Sequence, residues 1–572
     1  MKAENMPSSS GIFVRRILLL PNLLNGGSKL SEQRLPGIIF INFVYLRQRM
    51  CNMSETAKKS ITASALAIIV LLFISKFFGL LREFAIAGFY GASADTDAFF
   101  LAISLPNILF SAIGASVSTC ILPIYVEKLH QEDKRSASSY ISTILSIFVL
   151  ISVVLTILCI LFADTLVGWF APSFSGDTAT TAIRLTKILF VSLTFMIIAN
   201  ILSSILNAHK SYTAPQLIAI PGSILTILAA WLFSQRFGID AIAYATVAGS
   251  ICQVAIQVPF LRGKYRFRPE LAIKDPDIKR TMCMVVPMIF GASLTQLNEI
   301  VDKILASGLG EGAVSAISYS NKLIFFMSGI VVTAITTTVF SAFSYQSVEN
   351  EMDKLKTLLK RSIVYTMLIL MPISAISFVF DYEIIQLVFL RGNFTAEAVR
   401  ITSQAFVYYT CGILFSGINS IYTKVFYSLK KTLLPFITSA CAIAVNICIS
   451  ILLAPSLGVK GLAIGTSVSA FILFIINSIA LYRLLDGFDV KGTIKTGLKV
   501  LLCTAAMTIV MLAFKWFVPI SGYMDKFVLS VLLACIVYLL AMKFSKIEEF
   551  NHFKNSMFNL FHAIFRKKQH SA

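Results

Sequence analysis

The chain is 572 residues long, and 57% of its residues are hydrophobic while only 14% are charged. With a mean hydropathy of +0.80, this composition excludes a soluble multidomain protein and predicts a polytopic membrane protein. The formal net charge of +20 does not indicate a nucleic-acid partner, because lysine and arginine collect in alternate connections between apolar runs, as they do on the cytoplasmic side of membrane proteins.

Residues 1–57 do not resemble the rest of the chain. Their apolar run GIIFINFVYL is too short to span a bilayer and lacks a small-residue cleavage site. We interpret this segment as an N-terminal extension that is disordered or not translated, with translation beginning at Met50 or Met53. An amphipathic surface anchor is the alternative.

Apolar runs of roughly 20 residues then recur as far as Phe544, each long enough to cross about 30 Å of hydrocarbon as a helix. Helices are expected because backbone polar groups in lipid must be satisfied within their own segment. An even number of spans places both termini in the cytoplasm, on the side of the basic connections. We predict about fourteen spans, centred near residues 75, 110, 152, 195, 226, 251, 295, 330, 372, 414, 443, 473, 506 and 534.

The sequence also contains an internal duplication. Residues 102–109 match 316–323 at an offset of 214, and residues 210–246 match 430–466 at an offset of 220. Both members of each pair start from the same predicted side of the membrane, so the halves are parallel repeats, an arrangement that places substrate between them. Chance identity in an apolar sequence is the alternative. The predicted domains are a six-helix lobe over 58–262, a basic cytoplasmic linker over 263–280, a second six-helix lobe over 281–486, two additional helices over 487–545 and a basic cytoplasmic tail over 546–572.

Charged side chains lie inside several predicted spans, where they are costly and indicate a functional site. Lys76, Arg82 and Glu83 occupy the first span. Lys76 and Glu83 are seven residues apart and share a helix face, whereas Arg82 points elsewhere. Asp97 opens the second span, where an N-cap is as good an interpretation as a ligand. We expect Lys76 and Arg82 to face Lys322 of the eighth span across a central cavity.

The seventh span carries its own charged group. Glu299, Asp302 and Lys303 are three or four residues apart, so that a helix places them on a common face where they can neutralise each other. They are candidates to line the cavity together with Asn107 and Asn321. An internal ion-pair cluster near the extracytoplasmic end is the alternative.

Catalytic and metal-binding signals are missing from the sequence. The ten cysteines are scattered singly and the five histidines do not group, which predicts neither a disulfide framework nor a metal site. No phosphate-binding loop or nucleophile elbow is present. We therefore expect neither a cofactor nor an enzyme.

Several motifs resemble a known family. The run S-K-x-x-G-x-x-R-E is followed by G-A-x-x-x-T-D-A-F-F-x-A-x-x-L-P-N and by a proline at position 123. Further stretches agree: QVAIQVPFL, YSNKL, FLRGNF at 389–394 and KVFYSLKKTLLP. Together they resemble the signature of the MviN/MurJ lipid II flippases, within the multidrug/oligosaccharidyl-lipid/polysaccharide exporter superfamily, from about Ser60 onward.

The resemblance implies two six-helix lobes around a V-shaped cavity, with a final helix pair that helps to form a groove for the lipid tail. It implies a flippase that moves undecaprenyl-pyrophosphate-linked peptidoglycan precursor across the bacterial cytoplasmic membrane. The family's essential cavity cations correspond to Lys76, Arg82 and Lys322, and its essential acid to Asp97.

The chain also departs from the family pattern. Lysine replaces the commoner arginine at two of the cation positions, Phe110 and Ser111 stand where another arginine is expected, and Asn321 stands where an acid is expected. A flippase for another polyprenyl-linked oligosaccharide is therefore the alternative, ahead of a multidrug antiporter. Membrane potential, protons and sodium all stay open as the driving force.

Overall fold

The computed structural model describes residues 55–130, 134–267, 272, 274–349, 351–518 and 523–550. The predictions for the N-terminal extension concern residues outside these ranges, except that a helix begins at Glu55; most of the predicted basic tail also lies outside them. The chain divides into Met1–Ala67 and Ile68–Ala572, and the contacts below all belong to the second unit.

The described residues form eighteen helices and no strand. Each of the fourteen predicted span centres lies inside a helix. The bounds are α1 Glu55–Tyr90, α2 Ala94–His130, α3 Lys134–Leu161, α4 Ala163–Phe170, α5 Gly176–Ala208, α6 Thr213–Leu217, α7 Ala219–Phe237, α8 Asp240–Ala255, α9 Val258–Leu261, α10 Pro276–Ser307, α11 Ala313–Val348, α12 Met352–Val379, α13 Asp381–Phe389, α14 Ala396–Ser428, α15 Leu433–Leu457, α16 Val459–Leu484, α17 Val490–Phe517 and α18 Tyr523–Phe544.

Within the described ranges, eleven helices are long and apolar enough to cross a membrane. The three other predicted spans are α1, α10 and α14, helices of 36, 32 and 33 residues that are not among the eleven. The charged residues that make α10 a candidate site also lower its hydropathy. The all-helical, polytopic class is thus confirmed, while the count of fourteen stays a prediction.

Helix packing follows the same pattern twice along the chain. In the first half α2 packs on α5, α5 packs on α3 and α8, and α7 packs on α8. In the second half α11 packs on α14, α14 packs on α12 and α16, and α15 packs on α16. The pair α17 and α18 packs together and adds to α12. The packing therefore runs parallel to the sequence duplication.

The apolar cores differ between the two ends of the helix bundle. Where α1 ends and α11 begins, one cluster combines first-half residues such as Phe99 and Phe100 with second-half residues such as Tyr319 and Phe389. We call this the joined end. Where α2 and α11 end, one cluster belongs to the first half and the start of α10, and a separate one belongs to the second half. We call this the divided end. The halves are thus held together at one end, with room for a cavity between them.

Candidate substrate-binding cavity

Two adjoining cavities lie between the halves. The larger, of about 620 Å³, is lined by side chains from both halves, and the predicted site residues among them are Arg82, Asn107, Glu299, Asp302, Lys303, Asn321 and Lys322. The smaller, of about 200 Å³, is lined by Lys76, Arg82, Glu83 and Lys322. Arg82 and Lys322 line both cavities. The structure therefore brings the three predicted cations around one hollow.

Glu83 joins the two halves through a buried ion pair. Its side chain is 3% exposed, and its Oε1 accepts hydrogen bonds from Arg82 Nη2 at 2.6 Å and Lys322 Nζ at 2.8 Å. Arg82 Nε donates to the same oxygen at 3.2 Å. Because one carboxylate faces two cations, the cluster keeps a net positive charge. A buried carboxylate such as that of Glu83 is stable only when it is paired with cations in this way.

Both cations of this cluster also reach the cavities. The side chains of Arg82 and Lys322 are 34% and 35% exposed, and Lys322 Nζ lies 4.5 Å from the centroid of the Phe100 ring, a favourable cation–π contact. The sequence prediction that Arg82 points away from Glu83 is wrong, because the long Arg82 side chain folds back onto its neighbour.

Lys76 completes the hollow from α1. A Cβ atom added at Gly329 of α11 would lie only 3.0 Å from Lys76 Nζ, so a glycine there leaves room for the ammonium group. Among the residues that the structure describes, Lys76 forms no ion pair, in contrast to Arg82 and Lys322. Its charge is therefore available to an anionic ligand.

The α10 cluster is only partly neutralised internally. Lys303 Nζ lies 3.7 Å from Glu299 Oε1 and donates to the Phe100 carbonyl oxygen at 2.8 Å. Asp302 is 7% exposed, and its Oδ1 has no hydrogen-bond partner among the described residues. The predicted mutual neutralisation thus applies to Glu299 and Lys303. The helix is also tied to α15 by a hydrogen bond from Asn446 Nδ2 to Asn298 Oδ1, a contact that the sequence did not predict.

Asp97, a predicted substrate-binding residue, forms no ion pair with the cations among the described residues. It is 2% exposed, lines neither of the two cavities, and accepts hydrogen bonds from the backbone N–H groups of Gly312 and Ser315, each at 2.7 Å. It thus caps the N-terminus of α11 from the other half rather than its own helix. The start of its own helix is capped by Ser93 Oγ, which accepts from the Thr96 N–H, and by Thr96 Oγ1, which accepts from the Ser93 N–H.

Glu311 makes the reciprocal contact. Its Oε1 accepts from the backbone N–H of Ala94 at the start of α2, at 3.1 Å. Glu311 is separated from Asp97 by 214 residues, which is the offset of the first duplicated block. Each half therefore uses an acid, at positions 214 residues apart, to cap a helix of the other half. The duplication offset applied to Asp97 was the signal that could have identified Glu311.

This geometry suits an anionic group that leaves water. Lys and Arg form charge-assisted hydrogen bonds with phosphate oxygens, and arginine can present two donors at once. Around the smaller cavity three cations face one carboxylate, so an incoming phosphate would meet unbalanced positive charge. The fold and the cavity together define the class of the protein as a polytopic membrane transporter.

The sequence profile of the family described as lipid II flippase MurJ matches residues 86–536, and the chain belongs to this family. It is 28% identical over 513 residues to a probable lipid II flippase MurJ of Buchnera aphidicola subsp. Schizaphis graminum, covering 86% of this chain and 98% of the relative.

Solved structures show the same fold. A lipid II flippase MurJ in an inward closed conformation has a TM-score of 0.73 at 24% identity, covering 84% of this chain and 98% of that one. An inward-facing multidrug resistance transporter of the MATE family has a TM-score of 0.62 at 16% identity, covering 74% and 98%. These likenesses concern the fold alone.

Proposed function

We propose that this protein is a flippase that moves lipid II, the undecaprenyl-pyrophosphate-linked peptidoglycan precursor, across the bacterial cytoplasmic membrane. The substrate follows from family membership. The observation that carries the binding site is the grouping of Lys76, Arg82 and Lys322 around one hollow with a single buried carboxylate. The pyrophosphate would replace part of the pairing that Glu83 provides to Arg82 and Lys322.

Transport would proceed by alternating access and without covalent chemistry. The two predicted six-helix lobes would rock against each other, and the recurring helix pairs of the two halves support this division. The positive connections support cytoplasmic termini, which would place the joined end on the extracytoplasmic side. Lipid II would then enter from the divided end. Coupling to an ion gradient or to the membrane potential is part of this proposal, and the residues here do not favour one of them.

Other transporters of this fold are less well supported. A multidrug antiporter would be expected to have an acid-dominated cavity, whereas three cations and two carboxylates line the larger cavity and three cations and one carboxylate line the smaller. A flippase for another lipid-linked oligosaccharide would also fit the pyrophosphate site. The two candidate substrates are distinguished by whether loss of this gene stops lipid II from crossing the membrane.

Complementation tests the proposal directly. The wild-type gene should restore growth to bacteria depleted of their lipid II flippase. The Arg82→Ala variant should not, because the substitution removes a guanidinium that can donate two hydrogen bonds to the phosphate. Arg184→Ala is the matched control, since Arg184 is 57% exposed and pairs with Asp240 outside both cavities. Lipid II should accumulate in the inner leaflet of the Arg82→Ala strain. Growth of that strain at the wild-type rate would refute the site, and failure of the wild-type gene would refute the substrate.

A further inference from the structure

The loop between α13 and α14, residues 390–395, lies on the end of α1 and so joins the second half of the chain to the first. It contains most of the FLRGNF stretch noted in the sequence. Asn393 donates twice, from its backbone N–H to the Gly88 carbonyl oxygen at 2.9 Å and from Nδ2 to the Phe89 carbonyl oxygen at 2.6 Å. These carbonyls belong to the last turn of α1, where a helix has no partners of its own for them. The loop thus caps α1 from the opposite half.

The fit between the loop and α1 depends on two glycines, one from each half. Gly392 has a φ of +58°, and a Cβ atom there would lie 2.1 Å from the Gly88 carbonyl oxygen. Gly91 has a φ of +71°, and a Cβ atom there would lie 2.5 Å from the Asn393 carbonyl oxygen. By contrast, Gly458 has a φ of +62° with nothing within 4 Å. A left-handed turn alone explains Gly458, whereas close approach between halves also requires glycine at 91 and 392.

Aromatic contacts anchor the loop on its own half while its outer residues stay accessible. Phe394 is 1% exposed and stacks on Phe389 with ring centroids 5.6 Å apart. Arg391, Gly392 and Asn393 are exposed. Hydrogen bonds at an exposed position are exchanged for water when they open, so their net contribution is modest. Separation of the loop from α1 would therefore cost little in hydrogen bonding, while Phe394 would keep the loop anchored on its own half.

The same helix carries the binding residues. Arg82 and Glu83 lie less than two turns before Gly88, and the Arg391 guanidinium lies 5.6 Å from the centroid of the Phe84 ring. The end of α1 and the cation cluster therefore move as parts of one helix.

We propose that the 390–395 loop is a releasable latch: docked on α1 it closes the joined end and positions Arg82 towards Lys322, and it must detach for substrate to leave at that end. This rests on the proposed flippase function, but the docking itself can be tested without substrate. Asn393 and Gly392 are positioning residues in this scheme, since neither lines the two cavities.

A disulfide between the 390–395 loop and α1 tests whether the loop must detach for transport. A Cβ atom added at Gly88 would lie 3.7 Å from Arg391 Cγ, close enough for a disulfide between Gly88→Cys and Arg391→Cys after a small side-chain rotation. In a background with the ten native cysteines replaced, oxidation of the double variant should stop lipid II flipping and a reductant should restore it, while each single variant is insensitive to oxidant. Flipping by the crosslinked protein at the reduced protein's rate would overturn the proposal.

Labelling tests the closure independently of transport. A cysteine reporter, Asn107→Cys in the larger cavity, is treated with a membrane-impermeant maleimide from the side on which the loop lies. Gly392→Ala should raise the labelling rate by about tenfold, the change expected from roughly 1.4 kcal/mol, whereas Gly458→Ala should label like the parent. Asn393→Ala keeps Gly392 and should raise the labelling rate by a smaller factor. It is the variant to use if Gly392→Ala does not fold. Equal labelling of the loop variants and Gly458→Ala would overturn the latch while leaving the proposed function intact.

Discussion

The joined end and the divided end of the bundle are built on different principles. At the joined end the halves share one apolar core and are crosslinked by directional bonds: Asp97 to the start of α11, Glu311 to the start of α2 and Asn393 to the end of α1. At the divided end the halves have separate cores. There the α2 residue Lys128 binds Asp275 and Asp277 of the linker and α10 at 3.5 and 2.7 Å.

The directional bonds at the joined end suit a closure that is both specific and reversible. Helix termini provide unsatisfied N–H and C=O groups, and side chains from the opposite half satisfy them. When such contacts open, the freed groups lie near an aqueous end of the bundle, where water can replace the lost partners. The shared apolar core adds to the cost of opening, because the area exposed when the halves separate is unfavourably hydrated.

Glu83→Gln should have the largest effect on the contact between the two halves of the chain. It leaves Arg82 and Lys322 without their shared carboxylate, and removal of one partner from a buried ion pair costs about 3 kcal/mol. The thermal unfolding midpoint of the purified protein should fall. Glu397→Gln, at an exposed pair with Arg400, is the control and should leave the midpoint unchanged. An equal midpoint for the Glu83 variant would show that the cluster does not hold the halves together.

Asp97→Asn should loosen the joined end by a smaller amount. Asparagine has one oxygen where aspartate has two, so its NH2 group would face one of the backbone N–H groups of Gly312 and Ser315. A buried N–H group that loses its acceptor lowers the free energy of unfolding by about 2 kcal/mol. Hydrogen exchange should speed up at the amides of Gly312 and Ser315. Unchanged exchange at these amides would mean that the cap is not needed.

Glu311→Gln should have a weaker effect than Asp97→Asn, although both acids cap a helix of the opposite half. Glu311 is exposed and makes one contact of 3.1 Å, so that water and the glutamine oxygen can replace it, for a loss of about 0.5 kcal/mol. The comparison is made by thermal unfolding of both single variants and the double variant. A larger loss from Glu311→Gln would reverse the assignment of Asp97 as the stronger cap.

Lys354→Ala, at the divided end, should have almost no effect. Its ion pair with Glu351 is exposed at 67% and 36%, and surface pairs contribute about 0.5 kcal/mol or less. The thermal midpoint and lipid II flipping should match the wild type. A loss comparable to that of Asp97→Asn would contradict the difference drawn between the two ends.

Sequence reasoning identified the helices and the cations because both depend on local signals. Apolar runs predict spans, and Lys76, Arg82 and Lys322 stand out within them. The partners were harder to predict, since they come from elements more than 200 residues apart in the chain. Nothing near Asp97 in the sequence indicates that it caps α11. Arg82 lies off the helix face that Lys76 and Glu83 share, but its long guanidinium side chain still reaches Glu83. The sequence shows residues 390–394 only as part of a motif. The proposed latch role of the 390–395 loop depends on where Gly88 lies in space, which the motif does not indicate.

In the proposed site, Lys76, Arg82 and Lys322 receive the pyrophosphate of the substrate. Binding of lipid II to the purified protein, measured for the wild type, Arg82→Ala, Lys322→Ala and the exposed control Arg184→Ala, tests it most directly. We expect each cavity variant to bind at least about tenfold more weakly, the loss that corresponds to one charge-assisted contact of roughly 1.4 kcal/mol, and the control to bind like the wild type. Equal Kd values for all four proteins would contradict the account.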